Sequence, residues 1–224
     1  MEHLEQRQKV IDICRKMNAV GINQGTSGNV SARIDGGFLI SPSGVPYDDL
    51  QPEQIVRMDP EGGYYGDWKP STEWRMHMDI FNSRPEAGGV IHTHANHAAA
   101  LSCLGEDIPA FHYMIGVTGG KSLRCAEYAG YGTPELSANM LKALKDRTAC
   151  LLANHGFICF GGNLDATLAL AVEVETLCQQ YAIAKQLGKP LLVDDAEMDV
   201  ILRRFKSYGK QDADTDPLAP VKRD

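Results

Sequence analysis

Gly89-Val90-Ile91-His92-Thr93-His94-Ala95 is the stretch on which the reading of this chain turns. An apolar run feeds into two histidines, so the segment reads as the end of a buried β-strand. Residues i and i+2 of a strand point to one face, roughly 6.6 Å apart at Cα. Two imidazoles placed that way can converge on one metal ion. A second apolar run, Ala149-Cys150-Leu151-Leu152-Ala153-Asn154, ends in His155, and Gly156 after it lets backbone approach closely. A candidate helix opens with Ser71-Thr72-Glu73. His92, His94, His155 and Glu73 thus make a zinc-type donor set with a position left for substrate. A carboxylate as fourth ligand, with no thiolate, suits a catalytic ion better than a structural one. Taken singly, each residue has a plainer reading. A lone histidine is often a satisfied core or surface group, and an acid in the first turn of a helix is favoured by the macrodipole. His77, one turn past Glu73, is a candidate partner to the set rather than a further ligand.

Working outward, the pattern predicts alternating strands and helices. Leu4, Val10, Ile11, Ile13, Cys14 and Met17 give residues 2–20 an apolar stripe at helical spacing, with Gly21 where a C-cap wants it. Residues 29–34 alternate like a strand, 38–40 form another after the turn at Asp35-Gly36-Gly37, and 54–58 a third. Ser71 is placed to N-cap a helix running to about Arg84, ahead of Pro85. Strand 89–94 and a small-residue helix from about Asn96 follow. Residues 133–146 read as a helix, with Thr133 as cap and Pro134 at its first position. Strands 149–153 and 157–161 flank His155-Gly156. Helices over 164–187 and roughly 195–207 complete the domain, taken as residues 1–209. The polar tail, 210–224, reads as poorly ordered. Interleaved strands and helices with short connections mean an α/β class with a central sheet.

With 224 residues, 43% of them hydrophobic, the chain can bury one sizeable core. Its formal charge is −7 and it has no run of Lys and Arg, which argues against nucleic acid as a partner. The six cysteines form no Cys-x-x-Cys pair and sit mostly in apolar runs, as small buried hydrophobes do in a reducing compartment. No signal-type or membrane-spanning apolar stretch is present, so the expected location is the cytoplasm.

Thr26-Ser27-Gly28-Asn29, Ser43-Gly44 and Ser71-Thr72 are rich in hydrogen-bond donors. Glycines, small hydroxyls, an amide and free helix-terminal N–H groups are what a phosphate requires. Each is ordinary turn chemistry alone, and only their convergence in space would make a phosphate site. Gly116-Val117-Thr118-Gly119-Gly120-Lys121-Ser122 has the look of a P-loop, but Ile115 stands where its first glycine belongs, so the spacing fails.

In combination, Asn23–Ser31, Ser41–Tyr47, Pro70–His77, Val90–His94 and Asn154-His155-Gly156 resemble the class II aldolase/epimerase family, in order along nearly the whole chain. The resemblance implies a three-layer α/β/α fold around a mixed, largely antiparallel sheet, and a homotetramer with active sites at subunit interfaces. It implies zinc, or cobalt or manganese in its place, on His92, His94 and His155. Glu73 would complete the resting site, then leave the metal and move the proton at C3 of the substrate. Phosphate would sit on Asn29, Ser43, Gly44, Ser71 and Thr72, with Thr26 and Gly28 shaping the loop. Tyr113 would reach across from a neighbouring subunit to protonate the aldehyde oxygen, and Tyr208 would cover the site. Tyr131 would line the aldehyde pocket, where relatives acting on fuculose phosphate carry phenylalanine.

The activity so implied is reversible cleavage of a ketose 1-phosphate, of the L-fuculose 1-phosphate type, to dihydroxyacetone phosphate and an aldehyde such as lactaldehyde. Salvage enzymes cleaving 5-methylthioribulose or 5-deoxyribulose 1-phosphate share the scaffold and are the alternative. Ribulose-phosphate 4-epimerases carry an aspartate in place of Glu73 and an acid within the segment matching Phe111–Met114, and this chain has neither. Sugar-acid phosphate decarboxylases are a lesser alternative. Adducin-like binding modules lose the metal ligands, all of which are present here.

Overall fold

The computed structural model describes residues 1–205; Tyr208 and the tail lie outside the described residues. The chain opens with α1 (Leu4–Ala19). It ends where the sequence places a cap: Gly21 has φ +80°, its N–H bonds Asn18 O, and Ile22 N–H bonds Met17 O. That double bond is the Schellman arrangement, which Gly tolerates best because it has no Cβ. The buried side chains of Met17 and Ile22 belong to one core cluster.

Next come β1 (Asn29–Ile34), β2 (Gly37–Ile40), β3 (Val56–Met58) and β4 (Tyr64–Tyr65), then α2 (Trp74–Ser83), β5 (Gly89–Thr93) and α3 (Asn96–Ser102). The second half holds β6 (Ile108–Pro109), β7 (Ser122–Leu123), β8 (Cys125–Ala126), α4 (Pro134–Ala143), β9 (Ala149–Leu152), β10 (Gly156–Gly161), α5 (Leu164–Leu187) and α6 (Asp195–Phe205). The main sheet runs β4-β3-β2-β1-β5-β10-β9-β8. Every pairing in it is antiparallel except β8 with β9. Strand β5, bearing the histidine pair, is central and wholly buried.

The period-2 alternation of the strands divides the core into two layers. Val30, Leu39, Ile91, Leu151 and Phe157 pack on one face with α1 and α5. Ile40, Val90, Leu152, Ile158 and Phe160 pack on the other with α2 and α4. The fold is therefore three-layer α/β/α, as the family resemblance implies. Full burial of one aliphatic side chain contributes roughly 1.5–3 kcal/mol, so a strand buried on both faces, like β5, is fixed at the sheet centre, and β9, also buried throughout, is kept off the edge by β8. All six cysteines are free, four of them buried. Among the described residues no helix is long and apolar enough to cross a membrane.

The structure departs from the pattern reading in places. Helix α2 starts at Trp74 rather than near Ser71. Ser71 N–H is committed to Ser41 O, and Pro42 bridges Pro70, so backbone up to Ser71 stays paired with the strand-like segment after β2. Helix α4 does start as expected: Thr133 Oγ1 accepts from Leu136 N–H, with Pro134 at the first position. It ends at Ala143, earlier than expected, in a turn where Asp146 takes φ +58°. Strands β4, β6, β7 and β8 are two residues each, too short to leave a period.

One polar face of β1 anchors the frame. Val30, Ala32 and Ile34 pack into the core on the α1 and α5 side, which leaves Asn29, Ser31 and Arg33 facing α2. The Arg33 guanidinium donates to Phe81 O, Arg84 O and Ala87 O at 2.6–2.9 Å and lies 4.9 Å over the Phe81 ring. It thereby satisfies the Phe81 carbonyl at the end of α2 and ties down the turn that follows, where Arg84 O also accepts from Ala87 N–H. Replacing Arg33 with Ala is expected to cost about 2–4 kcal/mol of unfolding free energy, because buried acceptors lose their donor. Arg33→Lys should recover less than half of that, as an ammonium lacks the planar fork. Urea unfolding measures both, and a loss under about 0.5 kcal/mol for the alanine variant would contradict this role.

Candidate metal and substrate site

Three strand ends and one helix start deliver the cluster. His92 sits in β5, register-paired with Asn29 of β1 on one side and Ile158 of β10 on the other. His94 follows directly after β5. His155 lies in the turn between β9 and β10, where Asn154 adopts φ +56° and its N–H bonds Ser102 O. A side chain at Gly156 would collide with Thr93 O, so the close approach inferred from the sequence is real. Glu73 stands just ahead of α2.

The ligand atoms of Glu73, His92, His94 and His155 all lie within 4.8 Å of one another. His92 Nδ1 is 2.8 Å from Phe157 O, so Nδ1 carries a proton and Nε2 is the nitrogen that faces the cluster. His94 Nε2 is 3.1 Å from His92 Nε2. Glu73 Oε2 lies 3.1 Å from His92 Nε2, and Oε1 3.1 Å from His155 Nε2. Ligands about 2.05 Å from a tetrahedral zinc would stand about 3.3 Å apart, close to these spacings. Glu73 Oε1 is buried and, although His155 Nε2 stands 3.1 Å away, makes no well-aligned hydrogen bond; such an atom is costly unless a cation or donor meets it. The donor set therefore fits a divalent metal.

The electrostatics agree. Burial alone would raise the Glu73 carboxyl, but the imidazoles of His92 and His155 outweigh it and hold the group well below the usual carboxylate range. Burial alone would lower His92, and the Glu73 charge reverses that, leaving it raised. His94 is pushed down to about 4, by burial first and then by its two histidine neighbours. His77 is pushed down to about 3, again chiefly by burial. It is not a ligand: it sits behind the cluster, between Ser31 and Asn29.

The donor-rich segments do converge. Ser41 N–H bonds Val30 O, Ser43 N–H bonds Lys69 O and Ser71 N–H bonds Ser41 O. These bonds zip the segment after β2 to both β1 and the approach to α2. Tyr47 hydroxyl donates to Gly28 O, and Thr93 hydroxyl to Ile22 O, pinning the glycine loop beside the end of β5. A Cβ at Gly28 would lie 2.7 Å from His92 O. Thr26, Ser43, Gly44 and Thr72 remain exposed around this junction, while Gly28, Asn29 and Ser71 are buried. The Asn29 amide is turned inward, donating to Glu73 Oε2 at 3.1 Å.

A cleft of about 320 Å³ opens over the cluster, lined by Ser27, Thr72, Glu73, His94, Tyr128, Ala129, Tyr131, Asn154 and His155. Tyr131 is there as expected. Tyr128 and Ser27 are not evident from spacing; Tyr128 is one more exposed aromatic on the loop carrying Tyr131. Tyr113 is half-exposed, stacked on the His112 ring at 4.8 Å, and is not among the lining residues of the cleft in this single chain. Lys121, from the P-loop-like segment, pairs instead with Asp199 of α6 at 2.9 Å.

The family model for the class II aldolase and adducin N-terminal domain matches residues 8–182. The 5-methylthioribulose-1-phosphate/5-deoxyribulose-1-phosphate aldolase of Rhodospirillum rubrum is 48% identical over 203 residues, covering 91% of this chain and 92% of that protein. The L-fuculose phosphate aldolase of Escherichia coli K12 is 46% identical over 210 residues, covering 93% and 98%. A solved L-fuculose 1-phosphate aldolase superposes with TM-score 0.88 at 38% identity, covering 92% of this chain and 98% of that one. With the fold and the donor cluster these matches leave one conclusion: the chain belongs to the class II aldolase and adducin N-terminal domain family, and to its metal-dependent aldolases.

Proposed function

We propose that this enzyme reversibly cleaves a ketose 1-phosphate to dihydroxyacetone phosphate and a short aldehyde, using zinc on His92, His94, His155 and, at rest, Glu73. The observation that carries the reading is the buried carboxylate set against three imidazoles at the floor of an open cleft. The exposed donors around Thr26, Ser43, Gly44 and Thr72 supply the phosphate end, with Gly28, Asn29 and Ser71 fixing the loop. Tyr128 and Tyr131 also line the cleft, with 65% and 75% of their surface exposed. Aromatic rings there favour an aldehyde with an apolar end. That selects sugars lacking a terminal hydroxyl: L-fuculose 1-phosphate, or the 5-deoxy- and 5-methylthioribulose 1-phosphates named for the relatives.

The chemistry is simplest in the condensation direction. Glu73 takes a proton from C3 of dihydroxyacetone phosphate, the electron pair of that C–H bond forms the C3–C4 bond to the aldehyde carbon, and the aldehyde oxygen gains a proton. Within the cluster Glu73 is a weak base, because His92 and His155 stabilise its charge. Moving clear of them removes that stabilisation, while burial then raises its basicity. Zinc would supply Lewis-acid stabilisation of the charge developing on substrate oxygens, worth several kcal/mol. Tyr113, delivered by a neighbouring subunit of a homotetramer, protonates the aldehyde oxygen. Phosphate binding holds the substrate in register and lowers the entropic part of the barrier.

Incubation of the zinc-loaded enzyme with L-fuculose 1-phosphate and with 5-methylthioribulose 1-phosphate should release dihydroxyacetone phosphate from at least one, and chelator should abolish it. The ratio of kcat/KM values assigns the sugar, and release from neither by the zinc-bound enzyme would overturn the reading. Glu73→Gln is expected to retain zinc, by mass spectrometry of metal content, while kcat falls about 10²–10⁴-fold. Unchanged turnover with zinc bound would rule out the proton role.

Metal affinity should depend on pH. In the metal-free protein the Glu73 charge raises His92 above its ordinary value, so the ion must displace that proton. The His92–Glu73 attraction stabilises the metal-free fold below about pH 6.5 and is lost as pH rises through the raised value. The gain in Tm on adding zinc should therefore be larger near pH 8 than near pH 6, and equal gains would contradict the proton competition.

A further inference from the structure

Behind the cluster lies a buried histidine that the proposed chemistry does not use. His77 of α2 has no exposed surface. Its Nδ1 is 2.6 Å from Ser31 Oγ and its Nε2 is 2.5 Å from Asn29 Oδ1. Asn29 Nδ2 in turn donates to Glu73 Oε2. Only one arrangement of protons satisfies all these contacts. Glu73 is a carboxylate and accepts only, so the Asn29 amide must face it with nitrogen. Oδ1 then faces His77 and needs a donor, which makes Nε2 the protonated nitrogen. Nδ1 is left as an acceptor and takes the Ser31 hydroxyl proton. The depressed basicity of His77 leaves the ring neutral, as this scheme needs. Every donor in the row points toward Glu73, and aligned hydrogen bonds in a buried setting reinforce one another.

We propose that His77 is a positioning residue for the metal site: by fixing which way the Asn29 amide faces, it keeps an N–H on Glu73 Oε2 and the carboxylate aimed at the histidines. The inference rests on the reading of Glu73 as metal ligand and proton carrier. If His77 lost its Nε2 proton, the amide could turn its oxygen to Glu73, placing two acceptors face to face. Ser31 matters at one remove, because its hydroxyl can donate to the Nδ1 that this tautomer leaves as an acceptor. The placement follows from topology: Ser31 and Asn29 are two apart on β1, so they share the face that α2 covers.

The test has a metal-free arm and a metal arm. In the metal-free protein, 15N NMR of the His77 ring should show a protonated Nε2 and an unprotonated Nδ1; the opposite tautomer overturns the proposal whatever the protein binds. For the metal arm, zinc affinity is measured by competition with a chromophoric chelator for wild type, His77→Leu, His77→Gln and Ser31→Ala. Loss of such an outer hydrogen bond typically weakens metal binding about 10–100-fold, and His77→Leu should fall in that range. Ser31→Ala should fall in the same direction by less. His77→Gln offers an amide N–H near the position of Nε2 and should bind zinc within about threefold of wild type. Equal affinities for all four, or a glutamine variant as weak as the leucine one, would overturn the proposal. If His77→Leu does not fold, Ser31→Ala against His77→Gln decides on the same criteria. A wild type that binds no zinc would overturn the metal reading of the cluster, while the tautomer measurement still decides the arrangement of His77 and Asn29.

Discussion

A charged carboxylate held at 5% exposure is the constraint around which the rest of this structure is arranged. Burial of an ionised group is affordable only with opposite charge and hydrogen bonds close by. Glu73 meets this with His92 and His155 in front and Asn29 behind. The partners come from β1, β5 and the β9–β10 turn, so the sheet register must hold before the site exists. Asn29 lies directly across from His92; a slip of one residue would turn one of them to the opposite face.

The two-sided sheet makes that register secure. Alternate residues of β5, β9 and β10 feed two separate cores, so neither face can be surrendered to solvent without losing a packed layer. The polar residues of the site occupy positions that would otherwise belong to the α2–α4 side. His92 follows Val90 on that face, and Ser31 and Arg33 follow Asn29. Function thus takes over the strand ends, while the strand middles supply the stability.

The same geometry separates two demands that the proposed chemistry places on Glu73. In the cluster it is held as a carboxylate of low basicity by His92 and His155; as a base it would have to stand clear of them, so under that proposal metal binding and proton transfer are alternatives for one carboxylate rather than simultaneous tasks. Tyr131 and Tyr128 line the same cleft as Ser27 and Thr72 of the donor-rich segments, and the loop that carries Tyr131 packs against Thr72 O at Gly132.

Much of this was legible in the residues. His92 and His94 at i and i+2, with His155 ending another apolar run, announced a common ligand because strand geometry leaves few other reasons for the pattern. The α/β class with a central sheet could be read from interleaved strand and helix patterns, the three layers followed from the family resemblance, and the caps at Gly21 and Thr133 from their local chemistry. What shifted was local as well: Ser71 Oγ accepts from Glu73 N–H in a cap-like way, yet the regular helix begins only at Trp74, after a turn in which Trp74 N–H bonds Ser71 O. Lys121 sits in a glycine-rich segment, yet its partner is an aspartate of α6 far along the chain. The sequence by itself determined the ligand types, the strand periodicity and the fold family, because these depend on neighbours at fixed short spacing. Tertiary structure alone decided that the Asn29 amide faces Glu73, that His77 stands behind it, and that Tyr128 joins the cleft. Those depend on register between strands and on α2 covering β1, and no short-range pattern encodes a contact made 44 or 48 residues away.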